Sequence, residues 1–435
     1  MAWYLAASMT PENLNERVPG PLARKVGWSV FIVACALRLG AGLATGRLLN
    51  PELFEYDGMA KSLLAGNGLS FNHLHIVYHS FAPPLYPWLS AASYWIFDSL
   101  TPLMVLQVVA GGALAVVSAA IAKRLHPGWI APLAAGLLIA VHPGLIVYNV
   151  SKAHPLTFDA LFFTLAMLQA LRLRERTSVR RAIELGLIIG AGALCRATLI
   201  IFLPLAALWL IWVLRSQPLK PVIRAVLIAG VCTTAIVVPW TTRCSLLHQR
   251  FVFMITTDAE DFWRGNNPNA TGVTYATSEK TELEILSPAE LADLTSQPDE
   301  LAQADWFSAR SRAFIRAHPG KFAKLTALKF FYFWWRAPLT GIEYPKSWRI
   351  GYLVYYLVIV FSAVIGLFGV WRDGATARRN LILIGVFLFA LSLLQSLYYV
   401  EGRHRWAVEP ILIAVSGGGV ARLAQRRRRA SLETS

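Results

Sequence analysis

Residues 350–371 read IGYLVYYLVIVFSAVIGLFGVW, an unbroken apolar run held between Arg349 and Arg372. A bilayer core asks for about 20 apolar residues per helix, so a run of this kind reads as a membrane-spanning helix. Working outward, similar stretches recur at 28–43, 84–98, 102–122, 130–149, 155–171, 183–195, 197–214, 222–240, 323–338, 380–400 and 407–421. Several are shorter than a standard span. The expected fold is therefore all-α, a polytopic membrane protein with about 10–12 transmembrane helices and a modest extracytoplasmic loop domain. Composition agrees, with 56% hydrophobic and 15% charged residues over 435 positions and a mean hydropathy of +0.49, far from an ordinary soluble domain.

The net charge of +16 can suggest a nucleic-acid partner, but its placement argues for a membrane. Basic residues cluster between the apolar runs and at the chain ends: Arg17, Arg24 and Lys25; Arg172, Arg174, Arg176, Arg180 and Arg181; Arg215, Lys220 and Arg224; Arg372, Arg378 and Arg379; Arg422 with Arg426 to Arg429. Such clusters act as cytoplasmic orientation signals. If all five face the cytoplasm, 45–82, 241–323 and 401–406 face outward, and 241–323 carries 11 of the 25 acidic residues. The first 26 residues are polar and contain proline, so the first apolar run reads as a retained signal anchor. One join conflicts with this topology. Between the first outward loop and Arg172 an odd number of crossings is required, yet four apolar runs stand there, so either 84–98 does not cross or one join lies elsewhere.

Cys35, Cys195, Cys232 and Cys244 lack the close spacing of a zinc site, and three lie in apolar runs. Buried packing is their plain reading, with a disulfide or ligand role as the rival. The turn-rich string 265–272 is a loop, and Ser287 before Pro288 marks a capped helix start.

Several charged residues can carry chemistry. Asp57, just after the first run, can serve as a general base or hold a divalent cation; the bland alternative is a solvated loop carboxylate. His73, His75 and His79 alternate as a metal tract would, although interfacial histidines are unremarkable. Lys152, His154 and Asp159 flank Pro155 at the start of another run. Arg196 interrupts an apolar stretch; at mid-bilayer it would cost at least about 3 kcal/mol, so it belongs at an interface or in a polar cavity, unless it merely snorkels. Glu401, Arg403, His404, Arg405 and Glu409 fill a short outward connection, where positive charge falls on the wrong side for topology. With Arg243, Lys329 and Arg336 they suggest an outward anion pocket, ion pairing being the rival. A carboxylate and arginines on one membrane face suit transfer of a sugar from a lipid phosphate donor. That reaction needs a base for the incoming hydroxyl and cations for the departing phosphate.

These pieces resemble the polytopic glycosyltransferases of the GT-C fold, particularly bacterial relatives of the dolichyl-phosphate-mannose protein mannosyltransferases and the lipid A aminoarabinose transferase. The resemblance rests on residues 56–68, Pro83 to Pro87 with Tyr86, residues 192–196, the Pro239 to Arg243 exit, residues 265–268 and Glu401 to Arg405 with Glu409 and Pro410. It implies a first-loop catalytic or metal-associated carboxylate at Asp57, a second outward carboxylate at Asp159 and a lipid-phosphate grip at Arg403 and Arg405. Arg243, Arg196, Lys329 and Tyr86 complete the expected substrate-binding set. Gly58 stands where many members carry a second acid, and Ser80 to Ala82 replace a His-x-Lys, which weakens a metal requirement. A divalent cation remains the one cofactor in view.

The expected partners are a polyprenyl-phosphate-linked sugar, membrane lipids and a lipid, glycan or protein acceptor, with inversion at the sugar. The expected location is a bacterial cytoplasmic (inner) membrane with the site on the outer face. Domain boundaries are expected at 1–240, 241–323 and 324–435. The rival readings are a transporter of a polar or anionic substrate and an inactive assembly subunit.

Overall fold

The computed structural model describes residues 20–277, 280–336 and 344–433. Arg17 of the first basic cluster and the side chain of Arg429 lie outside the described residues. The chain is a multi-pass membrane protein, helical almost throughout, whose strands form one short hairpin.

The N-terminal part comprises α1 (Gly20–Ala44), α2 (Glu55–Leu64), the strands β1 (Phe71–His73) and β2 (Ile76–Tyr78), α3 (Leu85–Phe97), α4 (Thr101–Leu125), α5 (Ile130–Ala140) and α6 (Pro143–Ser151). It continues with α7 (Leu156–Glu175), α8 (Val179–Ala193), a 3-10 turn (Ala197–Ile201) running into α9 (Phe202–Val213), and α10 (Leu219–His248). A polar layer follows, with α11 (Asp258–Arg264), α12 (Pro288–Thr295), α13 (Glu300–Ala317) and α14 (Pro319–Trp334). The chain then returns through α15 (Lys346–Arg372), α16 (Ala375–Leu397), the short α17 (Gly402–Trp406) and α18 (Glu409–Glu433).

Helices α1, α4, α7, α10, α15 and α16 are each long and apolar enough to cross a bilayer, and the α5–α6 pair, bent by 49°, makes a seventh candidate span. Helix α8, the 3-10 turn with α9, and α18 run between the same two ends, giving ten end-to-end passes among the described residues.

The basic clusters converge on one end of this bundle. Arg124 at the close of α4 pairs with Glu175 at the close of α7. Arg174 donates to Thr376 O and Asn380 Oδ1 at the start of α16. Trp209 near the end of α9 donates to Arg379 O, and Arg422 on α18 pairs with Asp373. At the far end, Lys152 pairs with Glu52 and Leu85 N donates to Leu194 O.

Two expected spans do not cross. Helix α3, the run near 84–98, is held at the far end by Leu85 N to Leu194 O, Tyr86 Oη to Gln107 and Tyr94 Oη to Asp57. This removes the parity conflict read in the sequence. Helix α14, the run near 323–338, stays at that end too, because Lys321 donates to Pro268 O, Lys329 to Gly265 O and Arg405 to Trp335 O.

The α5–α6 bend has an identifiable cause. Pro143 at the first turn of α6 cannot extend α5, and His142 Nδ1 accepts Leu145 N as its cap. The carbonyls released at the end of α5 are taken by Arg38, fully buried on α1, whose guanidinium donates to Ile139 O and Ala140 O. Carbonyl capping is what makes a buried arginine tolerable there.

The polar layer covers the far end. The expected cap at Ser287 is a full capping box with Glu290. The hairpin turns through Leu74 and His75, both at positive φ (47° and 68°), as a two-residue hairpin loop requires. Glu300 at the start of α13 binds the hairpin exit, accepting His79 N at 2.8 Å and the Thr256 hydroxyl at 2.5 Å. Trp263, Leu294, Trp306 and Phe307 make the layer's own apolar core. The boundary expected near Trp240 falls inside α10, which continues to His248.

Candidate active site

A cavity of about 1030 Å³ opens at the far end, between the bundle and the polar layer. Its walls come from separate parts of the chain: Glu55 and Tyr56 on α2, His154 and Asp159 around the start of α7, Arg196 before the 3-10 turn, Asp261 and Arg264 on α11, and Arg403 and His404 on α17. Each sits at a helix end or connection, where a polar side chain escapes the cost of mid-bilayer burial.

On the inner wall Asp159 is 3% exposed, and its Oδ2 meets Arg196 at 3.4 Å. Its buried Oδ1 makes no conventional hydrogen bond among the described residues, and the Cys195 thiol lies beside the carboxylate. Opposite, Arg403 pairs with Glu401 at 2.8 Å and neighbours the Tyr148 hydroxyl. Lys152, paired with Glu52 at 2.6 Å, lies over the Tyr148 ring. Glu52 and its pair thus stand behind this wall.

Two histidines stand among the arginines. His154 Nδ1 accepts Leu156 N at 3.1 Å and His404 Nδ1 accepts Glu401 N at 3.2 Å, which places each ring proton on Nε2. Burial, reinforced by Arg196 and Arg403, holds both imidazoles neutral, well below the usual histidine range. The inner side of the cavity therefore presents the guanidinium groups of Arg196 and Arg403 and two neutral N–H donors beside a carboxylate with one oxygen free of conventional hydrogen bonds among the described residues. That donor set suits a phosphate oxygen.

The outer wall is acidic. Burial pushes the Asp261 carboxyl up to about 6 against the pull of Arg264. Arg264 bonds Glu260 at 2.8 Å and lies over the Tyr399 ring; Glu260 in turn bonds His73. Gly265 follows because any Cβ there would sit 2.1 Å from Tyr398 O. Close by, the Glu282 carboxylate is 1% exposed with no side-chain partner among the described residues, and burial raises its carboxyl to about 8.

The sequence-based candidates separate here. Asp159, Arg196 and Arg403 share the cavity. Asp57 does not line it: its carboxylate accepts Tyr94 Oη at 2.5 Å and pairs with Lys61 at 2.9 Å, tying α2 to α3. Arg405, two residues from Arg403, is 3% exposed and bonds Glu409, Phe333 O, Trp335 O and Tyr352 Oη. Arg243 bonds His79 O and lies over Trp240. Lys329 is fully buried against Gly265 O, Asn266 Oδ1 and Leu397 O. Tyr86 donates to Gln107 inside the bundle.

Among the described residues no three His, Cys, Asp or Glu side chains converge as ligands, and both Asp57 oxygens are engaged. The His73 ring bonds Glu260 on the polar layer, while His79 meets Glu300 through its backbone N–H.

Sequence reasoning gave no role to Asp261, Arg264 or Tyr148, and it placed His404 in the outward connection without a role of its own. For His404 a signal was available, since it stands between the two arginines singled out; nothing in the local sequence brings α11 to the same cavity.

A family model for dolichyl-phosphate-mannose-protein mannosyltransferase matches residues 82–241. No curated protein matches the chain. Among solved structures, the chain is similar to the apo oligosaccharyltransferase of Archaeoglobus fulgidus (TM-score 0.53, 13% identity, covering 94% of this chain and 52% of that one). It is likewise similar to the same organism's oligosaccharyltransferase AglB in complex with an inhibitory peptide and a dolichol-phosphate (0.55, 12%, 94% and 51%). ArnT of Cupriavidus metallidurans bound to undecaprenyl phosphate aligns at TM-score 0.43 and 15% identity over 93% of this chain and 78% of that one. The chain spans about half the length of the oligosaccharyltransferases it matches.

Proposed function

We propose, from the premise that this chain has the fold of the GT-C polytopic glycosyltransferases and matches the mannosyltransferase family model over 82–241, that it moves a sugar from a polyprenyl-phosphate donor to an acceptor hydroxyl. The carrying observation is the pairing, in one cavity, of a carboxylate oxygen free of conventional hydrogen bonds on Asp159 with the donors Arg196, Arg403, His154 and His404.

A sugar held through phosphate already has a leaving group that needs only its charge neutralised. Arg403 and the two Nε2–H groups bind the phosphate oxygens as negative charge builds on them. Fixed donors in a water-poor cavity stabilise that charge without reorganising. Asp159 Oδ1 takes the proton of the incoming hydroxyl, while Arg196 holds Oδ2. The C–O bond to phosphate breaks as the bond to the acceptor oxygen forms, and attack from the opposite face inverts the anomeric centre. The phosphate leaves as the free polyprenyl monoester. No metal enters this scheme.

The proposed placement is a bacterial inner membrane, with the five basic clusters in the cytoplasm and the cavity on the outer face. A lipid donor then reaches the arginines without leaving the bilayer. The acceptor, a lipid, glycan or protein hydroxyl, enters past the polar layer and its acidic wall. Asp57 acts by joining α2 to α3. Incubating purified protein with a panel of polyprenyl-phosphate sugars and membrane extract, then weighing the products, tests the reading. Sugar-linked product that disappears with Asp159→Asn is expected. Asp159-dependent flux into liposomes without any product would overturn it in favour of a transporter.

A further inference from the structure

A second polar cavity, of about 580 Å³, lies at the basic end of the bundle, opposite the candidate active site. It is bounded by the end of α4, the end of α15 and the C-terminal half of α18. Two glycines make room for it. A Cβ on Gly418 would fall 2.0 Å from the His126 ring, and one on Gly369 would fall 2.0 Å from Arg422 Nε. The imidazole and the guanidinium therefore lie flat against helix backbone.

The charges in this niche are unbalanced. Arg372, Arg422 and Arg426 line it with one acid, Asp373, which Arg422 already binds at 2.5 Å. Arg372 and Arg426 have no ion-pair partner among the described residues. His126 is 5% exposed, and its Nε2 donates to Val415 O at 3.2 Å. Its Nδ1 therefore carries a lone pair, buried and without a hydrogen-bond partner, at the cavity wall. An uncompensated buried acceptor is destabilising, and a ligand hydroxyl would relieve it. Phe368, 67% exposed on the flank of α15, and Ile365 continue the niche into the lipid-facing surface.

We infer that this niche binds an anionic phospholipid of the surrounding leaflet, its headgroup a phosphodiester with a terminal hydroxyl. Arg372 and Arg426 take the phosphate oxygens, and the hydroxyl donates to His126 Nδ1. Acyl chains lie along Phe368. The net positive lining favours an anionic over a zwitterionic headgroup, and the aromatic flank favours a lipid over a soluble phosphate. The inference is independent of the proposed transferase reaction.

The test uses full-length protein purified in detergent, with phosphatidylglycerol, phosphatidylcholine or phosphatidylmethanol added at matched mole fraction, or soluble glycerol phosphate. Thermal unfolding and native mass spectrometry are the readouts. Phosphatidylglycerol is expected to raise Tm saturably and to be retained at one molecule per chain. Phosphatidylmethanol, which lacks the hydroxyl, is expected to bind several-fold more weakly, and phosphatidylcholine more weakly still. The double variant Arg372→Gln with Arg426→Gln changes two exposed side chains and leaves the Asp373 pair intact. Its retention of phosphatidylglycerol should fall about tenfold, the loss of a charge-assisted contact. Equal stabilisation by phosphatidylcholine, or retention unchanged in the double variant, overturns the site. Stabilisation by glycerol phosphate alone overturns the lipid assignment, and parity of phosphatidylmethanol with phosphatidylglycerol overturns the role of His126.

Discussion

Arg403 and Arg405 stand two residues apart on α17, yet they belong to two regions that use the same chemistry in opposite ways. Around Arg405, the carboxylate of Glu409 meets the arginine and the Tyr352 hydroxyl through Oε1 and His142 through Oε2, all at 2.6 Å. The remaining guanidinium donors meet backbone carbonyls and Tyr352. Around Arg403, by contrast, two arginines, two neutral imidazoles and the Asp159 carboxylate line an open cavity. A charged cluster whose donors are saturated holds helices together. One whose donors remain unshared is available to a ligand.

The largest expected effect tests the open region. Asp159→Asn should cut sugar transfer about 10²–10⁴-fold, the usual worth of a positioned base, with membrane yield and Tm retained. Near-normal transfer by that variant would remove Asp159 from the chemistry. Next comes the saturated region, where Arg405→Ala strands a buried Glu409 and should cost about 3–5 kcal/mol of stability, read as lost thermal stability in detergent. A stable Arg405→Ala protein with only a raised donor KM would collapse the contrast between the two regions. Arg403→Gln should show the reverse signature: a donor KM raised about 10–100-fold, as expected for one charge-assisted hydrogen bond, with little change in Tm.

A smaller effect sharpens the picture through pH. Asp261 is protonated in the cavity below about 6 and gains its charge above it, so the wall becomes more negative as pH rises. Donor KM should therefore rise severalfold from about pH 5 to about pH 7 in the wild type, and Asp261→Asn should flatten that rise. Least of all, Asp57→Asn should lower Tm modestly while turnover changes by about twofold or less, because its bonds join α2 to α3 outside the cavity. Abolished turnover in a well-folded Asp57→Asn protein would restore Asp57 to the mechanism.

Much of the frame was legible in the chain. Apolar runs announced the spans, and the basic clusters announced which ends meet, because both signals are local and one-dimensional. Helix α3 shows where that legibility stops. Its run is as apolar as a true span, and the hydrogen bonds from Tyr86 and Tyr94 that hold it at one end join residues distant in sequence. The site divides in the same way. Arg196 betrayed itself by interrupting an apolar run, but α11 reaches the cavity through Glu300, Thr256, the hairpin and Tyr399, contacts absent from any local pattern.

The sequence by itself thus determined a helical membrane protein with its basic clusters gathered at one end and its polar chemistry at the other, since hydropathy and charge act residue by residue. Tertiary structure alone decided which side chains at that far end face a cavity. Two neighbouring arginines differ there because helix rotation and packing, not residue type, set whether a guanidinium finds internal acceptors or is left for a ligand.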